Sequence, residues 1–363
     1  MIVTDAWRPQ VNGVVRTLTT VTEELRAMGH VVEVIGPDRF RTIPCPTYPD
    51  ISLSLLPRRK LVAIIQAFAP DALHVATEGP LGMAARSWAK RSGFRFTTAF
   101  HTRFAEYIHA RTRLPVGPIY AWMRNFHGAG AGTMVATQSL RDELATRGFR
   151  NIRAWSRGVD LDLFKPEPRE DWNLPRPVFA YVGRVAVEKN IGAFLDLDLP
   201  GSKVVVGGGP MLASLQRDYP KVHFTGPRYG EALAAAYAGS DVFVFPSLTD
   251  TFGLVILEAL ACGTPVAAYP VTGPKDVLTG SDGCIGAVDA DLRTACLAAL
   301  KGDRAACRRH AERYSWRLCR TVPVASGPFR REGLLIPGFR VGWRAGRQEG
   351  CHARPARNSR RPR

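Results

Sequence analysis

A polar loop that joins a buried strand to an apolar helix holds the densest group of residues able to do chemistry. The loop carries Asp250, and the backbone N–H groups of Phe252, Gly253 and Leu254 stand where the helix begins. Unpaired N–H groups at a helix start attract an anion such as phosphate. Glu258 follows just over one turn later, so its carboxylate is predicted to reach the mouth of a cleft and bind paired ribose hydroxyls. The alternative is an ordinary amphipathic helix with one surface glutamate.

A second turn carries two cations between a strand and a helix. The strand ends at Val182, Gly183 lets the chain turn, and Arg184 and Lys189 lie on the loop that follows. Two cations at the carboxyl end of a strand can clamp a diphosphate and neutralise the charge that grows as it leaves. A Gly-Arg turn followed by a lysine is common, so this turn by itself does not establish a site.

Three further positions are candidates of lower specificity. Gly13 follows Asn12 between the first strand and the first helix, and the absence of a side chain lets a phosphate or a sugar approach the backbone. His101 stands at the end of an apolar strand, where it can form a hydrogen bond to a sugar hydroxyl or a phosphate. Glu78 ends another strand at a glycine turn. A structural role is the alternative at each of these positions.

Other classes of site are disfavoured by spacing. The run Gly207–Pro210 does not match the dinucleotide fingerprint, because Leu212 occupies the place of its third glycine. No Walker-type phosphate loop is present. The seven cysteines form no CxxC pair and no zinc-like spacing with histidine, which predicts reduced thiols and no metal site.

Length and charge indicate two domains, the first of them basic. A chain of 363 residues, 45% of them hydrophobic, exceeds what one core usually holds. Residues 1–157 carry 21 Lys/Arg against 11 Asp/Glu, whereas residues 158–316 carry 16 against 19. The first half is therefore predicted to face something anionic, either phospholipid or nucleic acid, although a solvated basic surface is an equal alternative. No apolar stretch is long enough for a membrane span and no signal peptide is recognisable, which predicts a cytoplasmic enzyme, peripheral at most.

Alternating apolar runs and helical patterns predict two doubly wound α/β domains, over residues 1–158 and 178–316, joined by a Pro-rich linker over 159–177. The expected strands are Ile2–Thr4, Val31–Ile35, Ala72–Val75, Phe94–Phe100, Met134–Ala136, Val178–Val182, Lys203–Val206, Val222–Phe224, Val242–Phe245 and Val266–Ala268. Gly29 is expected to end the first helix, and Ser139 with Asp142 to form a capping box. Ligands of such folds bind at the carboxyl ends of the strands.

The last 47 residues break this pattern. Residues 317–363 contain 12 Arg, no Lys and no Asp, without helical or strand periodicity. Their composition is irregular and typical of a GC-rich gene read out of frame, so we expect that the reading frame was lost near Arg317. A genuine basic tail that binds anionic lipid or nucleic acid is the alternative.

Taken together, the motifs VTDAWRPQVNGVVRTL, HVATEGPLG, FHTRFAEY, RGVDLDLF, VGRVAVEKN and FPSLTDTFGLVILEA resemble glycosyltransferase family 4. These are retaining enzymes of GT-B fold, in which two Rossmann-like domains face each other across a cleft. The likeness is closest to the branch that contains GDP-mannose-dependent mannosyltransferases and the sulfoquinovosyl- and glucuronosyl-diacylglycerol synthases. Its most specific element, two acids eight positions apart, stands here as Asp250 and Glu258.

The resemblance implies residue roles. Arg184 and Lys189 would bind the donor diphosphate, Glu258 would hold the ribose, and His101 would contact the transferred sugar. The remaining implied positions are Gly13, Asp250, Thr251, Phe252, Gly253 and Leu254 around the donor, and Glu78, Arg103 and Tyr107 on the acceptor side. The family implies front-face displacement without a metal or a cofactor, in which the leaving phosphate oxygen helps to deprotonate the acceptor hydroxyl.

Three departures from the family pattern stand out. Asp250 is one methylene shorter than the usual glutamate, and Asn12 replaces the first glycine of a pair. In addition, the last helix of this fold usually crosses back to the first domain, and nothing after Trp316 resembles such a helix.

The predicted function is transfer of a hexose from GDP-mannose or a UDP-sugar to a lipid such as diacylglycerol or a phospholipid. The alternatives are a nucleotide-sugar epimerase of the same fold, a phosphorylase, for which no pyridoxal phosphate lysine segment is found, and a non-enzymatic binder of anionic polymer. Nucleic acid is a disfavoured partner because no nucleic-acid-binding module is recognisable.

Peripheral contact with an anionic membrane is expected through the basic and aromatic residues Arg111, Arg113, Tyr120, Trp122, Arg124 and Phe126. The alternative is that Trp122 and Phe126 belong to a buried helix face.

Overall fold

The computed structural model describes residues 1–10, 12–45, 48–279, 283–314 and 316. The predictions for the Arg-rich segment 317–363, including the lost reading frame, lie outside the described residues, as does the side chain of Arg111. Within the described part, no helix combines the length and the apolar character that crossing a membrane requires.

The first part of the chain alternates strands with helices, as the apolar runs predict. Its strands are β1 (Ile2–Val3), β2 (Val34–Ile35), β3 (Thr42–Cys45), β4 (Tyr48–Ser54), β5 (Leu73–Val75), β6 (Phe96–Ala99), β7 (Gly132–Val135) and β8 (Ile152–Ala154). Its helices are α1 (Gly13–Ala27), α2 (Arg58–Phe68), α3 (Pro80–Ser92), α4 (Phe104–Thr112), α5 (Val116–Gly128) and α6 (Gln138–Thr146). A 3-10 turn covers Pro37–Arg39.

The second part repeats this alternation. Its strands are β9 (Val178–Val182), β10 (Ser202–Val206), β11 (His223–Gly226), β12 (Val242–Phe245), β13 (Val266–Ala268) and β14 (Gly286–Val288). Its helices are α7 (Ile191–Leu195), α8 (Leu212–Asp218), α9 (Gly230–Gly239), α10 (Leu254–Ala261), α11 (Pro274–Leu278), α12 (Leu292–Ala299) and α13 (Arg304–Ala311). Val187–Lys189 and Glu312–Tyr314 form 3-10 turns.

Each part forms one six-stranded sheet, in the orders β2-β1-β5-β6-β7-β8 and β11-β10-β9-β12-β13-β14. Every pairing within these two sheets is parallel. In both sheets the order reverses beside the first strand, between β1 and β5 and between β9 and β12. Ligands of doubly wound sheets bind beyond the carboxyl ends of the strands at such a reversal. The α/β prediction of two doubly wound domains is therefore confirmed.

Some local predictions were wrong. Ser139 lies inside α6, whose N-cap is Thr137, so the expected capping box is absent there. The antiparallel hairpin β3–β4 was missed because the prolines at its strands interrupt any strand pattern, and the short strands β8 and β14 were also missed. Gly29, by contrast, does follow the end of α1 with a φ of +88°, in the left-handed region that glycine adopts readily.

The expected linker does not run freely through solvent. No helix or strand lies between β8 and β9, but Phe164 and Trp172 are buried in the core of the second sheet. The segment after α13 returns to this region, because the N–H group of Val159 donates to the carbonyl of Tyr314 at 2.7 Å. Trp316 packs beside Leu25 against a cluster of the first sheet, so the chain does reach that sheet at its last described residue.

The two domains are also joined near the carboxyl edges of their sheets. The backbone N–H group of Ser139 on α6 donates to Asp276 Oδ1 at 2.8 Å, and the Ser139 hydroxyl bonds the other oxygen of Asp276. Asp276 belongs to α11, so this contact links a helix of each domain. Ser139 therefore serves an interdomain contact rather than the helix cap that its sequence context suggests.

The glycine run after β10 supports the turn that carries Arg184. Gly207 has a φ of +154°, and a Cβ there would lie 1.8 Å from the carbonyl oxygen of Gly183. The N–H group of Val185 donates to the carbonyl of Gly208 at 2.9 Å. Since two backbones touch here, the glycines are needed for close packing of the loops at the sheet edge. That packing accounts for a glycine run that does not match the dinucleotide fingerprint.

We predict that Gly207→Ala lowers the free energy of unfolding by more than about 3 kcal/mol, because an overlap with backbone cannot be relieved by a side-chain rotation. Gly208→Ala is the matched control, since a Cβ there would meet Pro227 at an ordinary 3.7 Å. Chemical denaturation of both variants measures the difference. Equal stability of the two would contradict the backbone contact.

Candidate active site

The cations predicted to clamp a diphosphate lie beyond the carboxyl end of β9, the central strand of the second sheet. The hydroxyl of Tyr181 donates to the Arg184 carbonyl at 2.7 Å, which fixes the turn. Lys189 Nζ donates to Asp250 Oδ1 at 2.7 Å and to Oδ2 at 2.9 Å. Asp250 belongs to the loop after β12, so the strand pairing β9–β12 brings the two charges together. The predicted catalytic residues Arg184, Lys189 and Asp250 therefore occupy one edge.

Neighbouring side chains keep Lys189 protonated. Burial opposes the ammonium, but Asp250, Tyr107 and Tyr181 outweigh that effect and raise the pKa of Lys189 above its ordinary value. The side chain thus stays cationic at every physiological pH. A fixed cation of this kind can stabilise negative charge without reorganisation during a reaction.

Tyr107 approaches this ion pair from the first domain. Burial raises the pKa of its phenol, and its electrostatic neighbours are Lys189, Asp250 and Glu188 of the second domain. A side-chain hydrogen bond to Thr249 also acts on the phenol. Tyr107, predicted for the acceptor side, therefore stands across the cleft from the two charges as a neutral hydroxyl.

The start of α10 lies next to the same loop. Gly253 precedes the helix with a φ of +80° and no side chain caps the helix end. Phe252 is buried in the core of the second sheet, and the Thr251 hydroxyl donates to the carbonyl of His101 at 2.7 Å. The backbone from Phe252 to Leu254 therefore presents a helix N-terminus toward the first domain, as the sequence predicts for an anion site.

The start of α1 faces the start of α10. A Cβ placed on Gly13 would lie 3.7 Å from Leu254 Cδ1, so these two helix ends approach closely. Asn12 caps α1 itself: its Oδ1 accepts from the N–H groups of Val14 and Val15, each at 3.0 Å. Gly13 places no side chain between the two helix ends, and the amides of Val14 and Val15 are bound to Asn12 instead of being open to a ligand.

Glu258 does not open to the mouth of the cleft, which corrects the expectation from sequence. The residue is 3% exposed, and its Oε1 accepts from Arg16 Nη1 at 2.5 Å while its Oε2 accepts from the Tyr237 hydroxyl at 3.0 Å. Burial raises the pKa of Glu258, and Arg16 and Tyr237 partly counteract that rise. The guanidinium of Arg16 also lies over the ring of Phe164, 5.1 Å from its centroid. Arg16 was not predicted from the sequence, although its position one turn after Gly13 places both residues on one face of α1.

His101 stands beyond the carboxyl end of β6. Its Nδ1 lies 3.1 Å from Arg157 Nη2, and its ring meets Trp155 edge-on with centroids 5.9 Å apart. Its Nε2 is buried and, among the described residues, has no hydrogen-bond partner. The bond from Thr251 to its carbonyl places His101 beside the loop that carries Asp250. Arg157, which the sequence analysis did not single out, thus belongs to the site.

The other two acceptor-side residues, Glu78 and Arg103, are each paired with a side chain of the first domain. Glu78 Oε1 lies 3.1 Å from Nε2 of the buried His127. Arg103 donates to both carboxylate oxygens of Glu143, at 3.1 Å and 2.6 Å, and its Nη2 also donates to the Thr272 hydroxyl at 3.0 Å. Arg103 therefore bridges the two domains at the edge of the site. The described residues include no group of three or more His, Cys, Asp or Glu able to hold a metal ion.

Two Rossmann-like domains with their carboxyl strand edges facing each other define the class of GT-B glycosyltransferases. Solved structures agree in fold: sucrose-phosphate synthase from Thermosynechococcus elongatus superposes with a TM-score of 0.69 at 21% identity, over 88% of this chain and 96% of that one. Anabaena HepE, solved with UDP, gives a TM-score of 0.61 at 14% identity over 88% and 96%.

The chain belongs to glycosyltransferase family 4. The family model described as Glycosyltransferase Family 4 matches residues 11–163, and that described as Glycosyl transferases group 1 matches residues 176–301. A GDP-mannose-dependent alpha-mannosyltransferase of Mycolicibacterium smegmatis is 33% identical over 76% of this chain and 81% of its own length. The sulfoquinovosyl transferase of Arabidopsis thaliana is 30% identical over 82% of this chain and 66% of its own length. The protein is therefore a glycosyltransferase, as predicted from its motifs.

We predict that Arg16→Met lowers the free energy of unfolding by about 1–3 kcal/mol, below the usual cost of breaking a buried ion pair because 41% of the Arg16 side chain is exposed. The difference in the free energy of unfolding between the wild type and this variant should grow as the pH rises from about 5 to 8. The pKa of Glu258 is already raised in the folded state, so folding favours its protonated form, and stability is lost as the pH rises through that pKa. Removing Arg16 raises this pKa further.

Urea denaturation at several pH values measures this effect. The double variant Arg16→Met/Glu258→Gln is the control, because a neutral amide removes the titrating group and with it the added pH dependence. A single variant whose stability follows the wild-type pH profile would show that Arg16 does not govern the charge of Glu258.

Proposed function

We propose that the protein transfers a hexose with retention of configuration, from a nucleotide diphosphate sugar to a lipid acceptor, without a metal ion or another cofactor. The observation that carries this proposal is the convergence of Arg184, the Lys189–Asp250 pair and the start of α10 beyond the reversal point of one parallel sheet. The names of its relatives, a GDP-mannose-dependent mannosyltransferase and a sulfoquinovosyl transferase among them, support an activated sugar as the donor.

The donor diphosphate fits between the two sets of groups that favour an anion. On the second domain these are Arg184, Lys189 and the backbone at Gly253 and Leu254, and on the first domain Gly13 adds no side chain to the gap between the two helix ends. The ribose hydroxyls would bind Glu258, whose carboxylate is buried at the contact between the two domains. Since Arg16 already bonds one of its oxygens, the ribose would share the carboxylate with Arg16 or displace it.

In the proposed reaction the bond between the sugar anomeric carbon and the diphosphate oxygen breaks. The acceptor hydroxyl attacks that carbon on the same face, and its proton passes to the leaving phosphate oxygen. The products are the glycoside and the nucleoside diphosphate. Arg184 and Lys189 stabilise the charge that develops on the diphosphate, and Asp250 keeps Lys189 charged and aligned.

A lipid acceptor is supported by relatives such as the alpha-monoglucosyldiacylglycerol synthase of Streptococcus pneumoniae, which is 26% identical over 73% of this chain. On the acceptor side we place Tyr107, whose hydroxyl stands opposite the ion pair, with Arg103 and Glu78 around it. Arg103 already binds Glu143, and Glu78 already binds His127. On the acceptor side, Arg103 and Glu78 would therefore act by holding these two side chains in place.

The expected membrane surface needs correction. Tyr120 and Phe126 are 3% and 1% exposed and pack in cores, so neither can enter a bilayer. Trp122 is 36% exposed, its ring lies tilted against that of the exposed Phe104 with centroids 6.1 Å apart, and Arg113 and Arg124 are also exposed. Part of the predicted set is thus accessible, and part of it belongs to the buried helix face that was the alternative.

A second surface also combines apolar and basic side chains. Leu55 and Leu56, 46% and 94% exposed, precede the exposed Arg58 and Arg59 at the start of α2. We call these four residues the 55–59 surface and propose that it holds the protein on anionic lipid, with the leucines in the interface and the arginines on the head groups.

The double variant Lys189→Gln/Asp250→Asn, which neutralises the ion pair, should lower kcat at least tenfold because the cation is lost. It should cost little stability, because both charges are removed together. Arg184→Ala should lower kcat by a similar factor. Lys301→Ala, which removes an exposed lysine of the same domain, is the control and should keep wild-type turnover. Wild-type turnover in the first two variants would exclude both cations from the mechanism.

Turnover is measured with a panel of labelled GDP- and UDP-sugars and total membrane lipid, with and without EDTA. The donor should raise the Tm of the wild-type protein, and activity should survive chelation. Stabilisation without sugar transfer would favour a nucleotide-sugar epimerase or a binding protein, and activity lost to EDTA and restored by Mg²⁺ or Mn²⁺ would contradict the metal-free mechanism.

Binding to the membrane is tested by sedimentation with vesicles. Arg58→Ser/Arg59→Ser should weaken binding to anionic vesicles by about 2 kcal/mol, or roughly thirtyfold, since each basic residue near such a surface contributes about 1 kcal/mol. Leu56→Asn should also weaken it, whereas Val31→Ser, at an 83% exposed valine elsewhere, should not. Equal binding to anionic and zwitterionic vesicles would count against the 55–59 surface.

A further inference from the structure

A buried guanidinium lies directly behind His101. Arg157 follows β8 and is 4% exposed. Its Nη1 donates to the carbonyl of Trp155 at 3.0 Å, and its guanidinium carbon lies 4.3 Å from the centroid of the Trp155 ring. The opposite corner of the group, Nη2, lies 3.1 Å from Nδ1 of His101. The indole and its carbonyl therefore fix a guanidinium that points at the imidazole.

This contact determines which nitrogen of His101 carries the proton. A guanidinium has only N–H donors and stays protonated in proteins. Nδ1 of His101 must then accept the hydrogen bond, and a ring nitrogen that accepts carries no proton. A neutral imidazole has one N–H group, so that group is at Nε2. If the ring were rotated by 180°, a ring C–H group would face the guanidinium and this hydrogen bond would be lost.

The surroundings also keep the imidazole neutral. Burial lowers the pKa of His101 well below its ordinary value, and the charge of Arg157, followed by His74 and His127, lowers it further. Among the described residues, these three are the titratable or charged groups that act on the ring. Thr251 of the second domain binds the His101 carbonyl at 2.7 Å, which holds the residue in register with the Asp250 loop.

We infer that Arg157 is a positioning residue that fixes His101 as the neutral tautomer protonated at Nε2, so that His101 donates a hydrogen bond to an oxygen of the nucleotide sugar. Nε2 is buried and has no hydrogen-bond partner among the described residues, which leaves its N–H group for a ligand. In this state His101 cannot act as a base through Nε2. The tautomer follows from the contacts described above, and only the identity of the bound oxygen rests on the proposed function.

Such a role suits the proposed displacement. The acceptor proton passes to the leaving phosphate oxygen, so the reaction needs no imidazole base. A neutral N–H group can align a sugar hydroxyl or a phosphate oxygen without giving up its proton, because neutral imidazole is a very weak acid. A buried cation that prevents protonation of its neighbour keeps this donor unchanged across the working pH range.

The tautomer is measured by NMR of the full chain labelled with ¹⁵N and ¹³C in histidine. The His101 signals are assigned by their loss in His101→Gln. In the wild type we expect a protonated Nε2 and an unprotonated Nδ1 at every pH from about 6 to 8.5. A protonated Nδ1 in the wild type would overturn the inference, and only the assignment of the signals uses a variant.

Arg157→Met removes the cation. The midpoint of His101 protonation should then rise by about one pH unit or more, since a unit charge within about 4 Å has an effect of that size. Arg157→Lys keeps a cationic donor and should restore the wild-type titration. Arg150→Met, at an exposed arginine seven positions earlier, is the control and should change nothing. A midpoint in Arg157→Met equal to that of the wild type would overturn the role of Arg157.

Contact with the donor is read from the same spectra. The nucleotide sugar that most raises the wild-type Tm should shift the Nε2 and attached proton signals of His101 while leaving Nδ1 unprotonated. A nucleotide sugar that binds without moving these signals would overturn the contact. If no nucleotide sugar binds, the proposed function fails, whereas the tautomer and its dependence on Arg157 are still decided by the two measurements above.

Discussion

A single acid in an otherwise apolar helix constrains how the two domains meet. Glu258 lies among the buried residues of α10, where an ionised carboxylate is costly unless it is paired. Tyr237 supplies one hydrogen bond from within the second domain, and Arg16 supplies the charge from the first. Because Arg16 lies one turn after Gly13, the contact that satisfies Glu258 also brings Gly13 against Leu254. The separation of the two helix ends at the site thus follows from the need to pair one buried charge.

Two further polar contacts across the cleft lie on loops that follow strands or begin helices. Thr251 binds the His101 carbonyl, and Arg103 binds Thr272. Each contact joins a loop of one sheet to a loop of the other at their carboxyl edges. The charged groups are therefore fixed before a ligand arrives, which is how a site stabilises developing charge without reorganisation. A nucleotide that enters must share or replace some of these bonds, so its binding is coupled to the contact between the domains.

Much of the fold and part of the site could be read from the sequence, because both depend on local pattern. Apolar runs such as Val178–Val182 mark strands buried on both faces, and the polar residues directly after them must lie at the sheet edge. This is why the sequence predicts Arg184, Lys189, Asp250 and His101 as candidates at that edge. Tyr120 shows the limit of the same argument, since an aromatic residue on a helix beside arginines can face either the core or the solvent, and only packing decides.

What the sequence determined by itself is the α/β class, the alternation of strands and helices, the glycines that turns require and the chemistry available at each strand end. These features depend on residues within a few positions of one another. Only the tertiary structure decided which groups are partners. Lys189 and Asp250 are 61 positions apart and Arg16 and Glu258 are 242 apart. Their pairing depends on which strands adjoin and how the domains face each other, and burial of apolar surface over the whole chain sets that order. The protonation and accessibility of His101 and Glu258 follow from those partners, so they too are properties of the folded molecule.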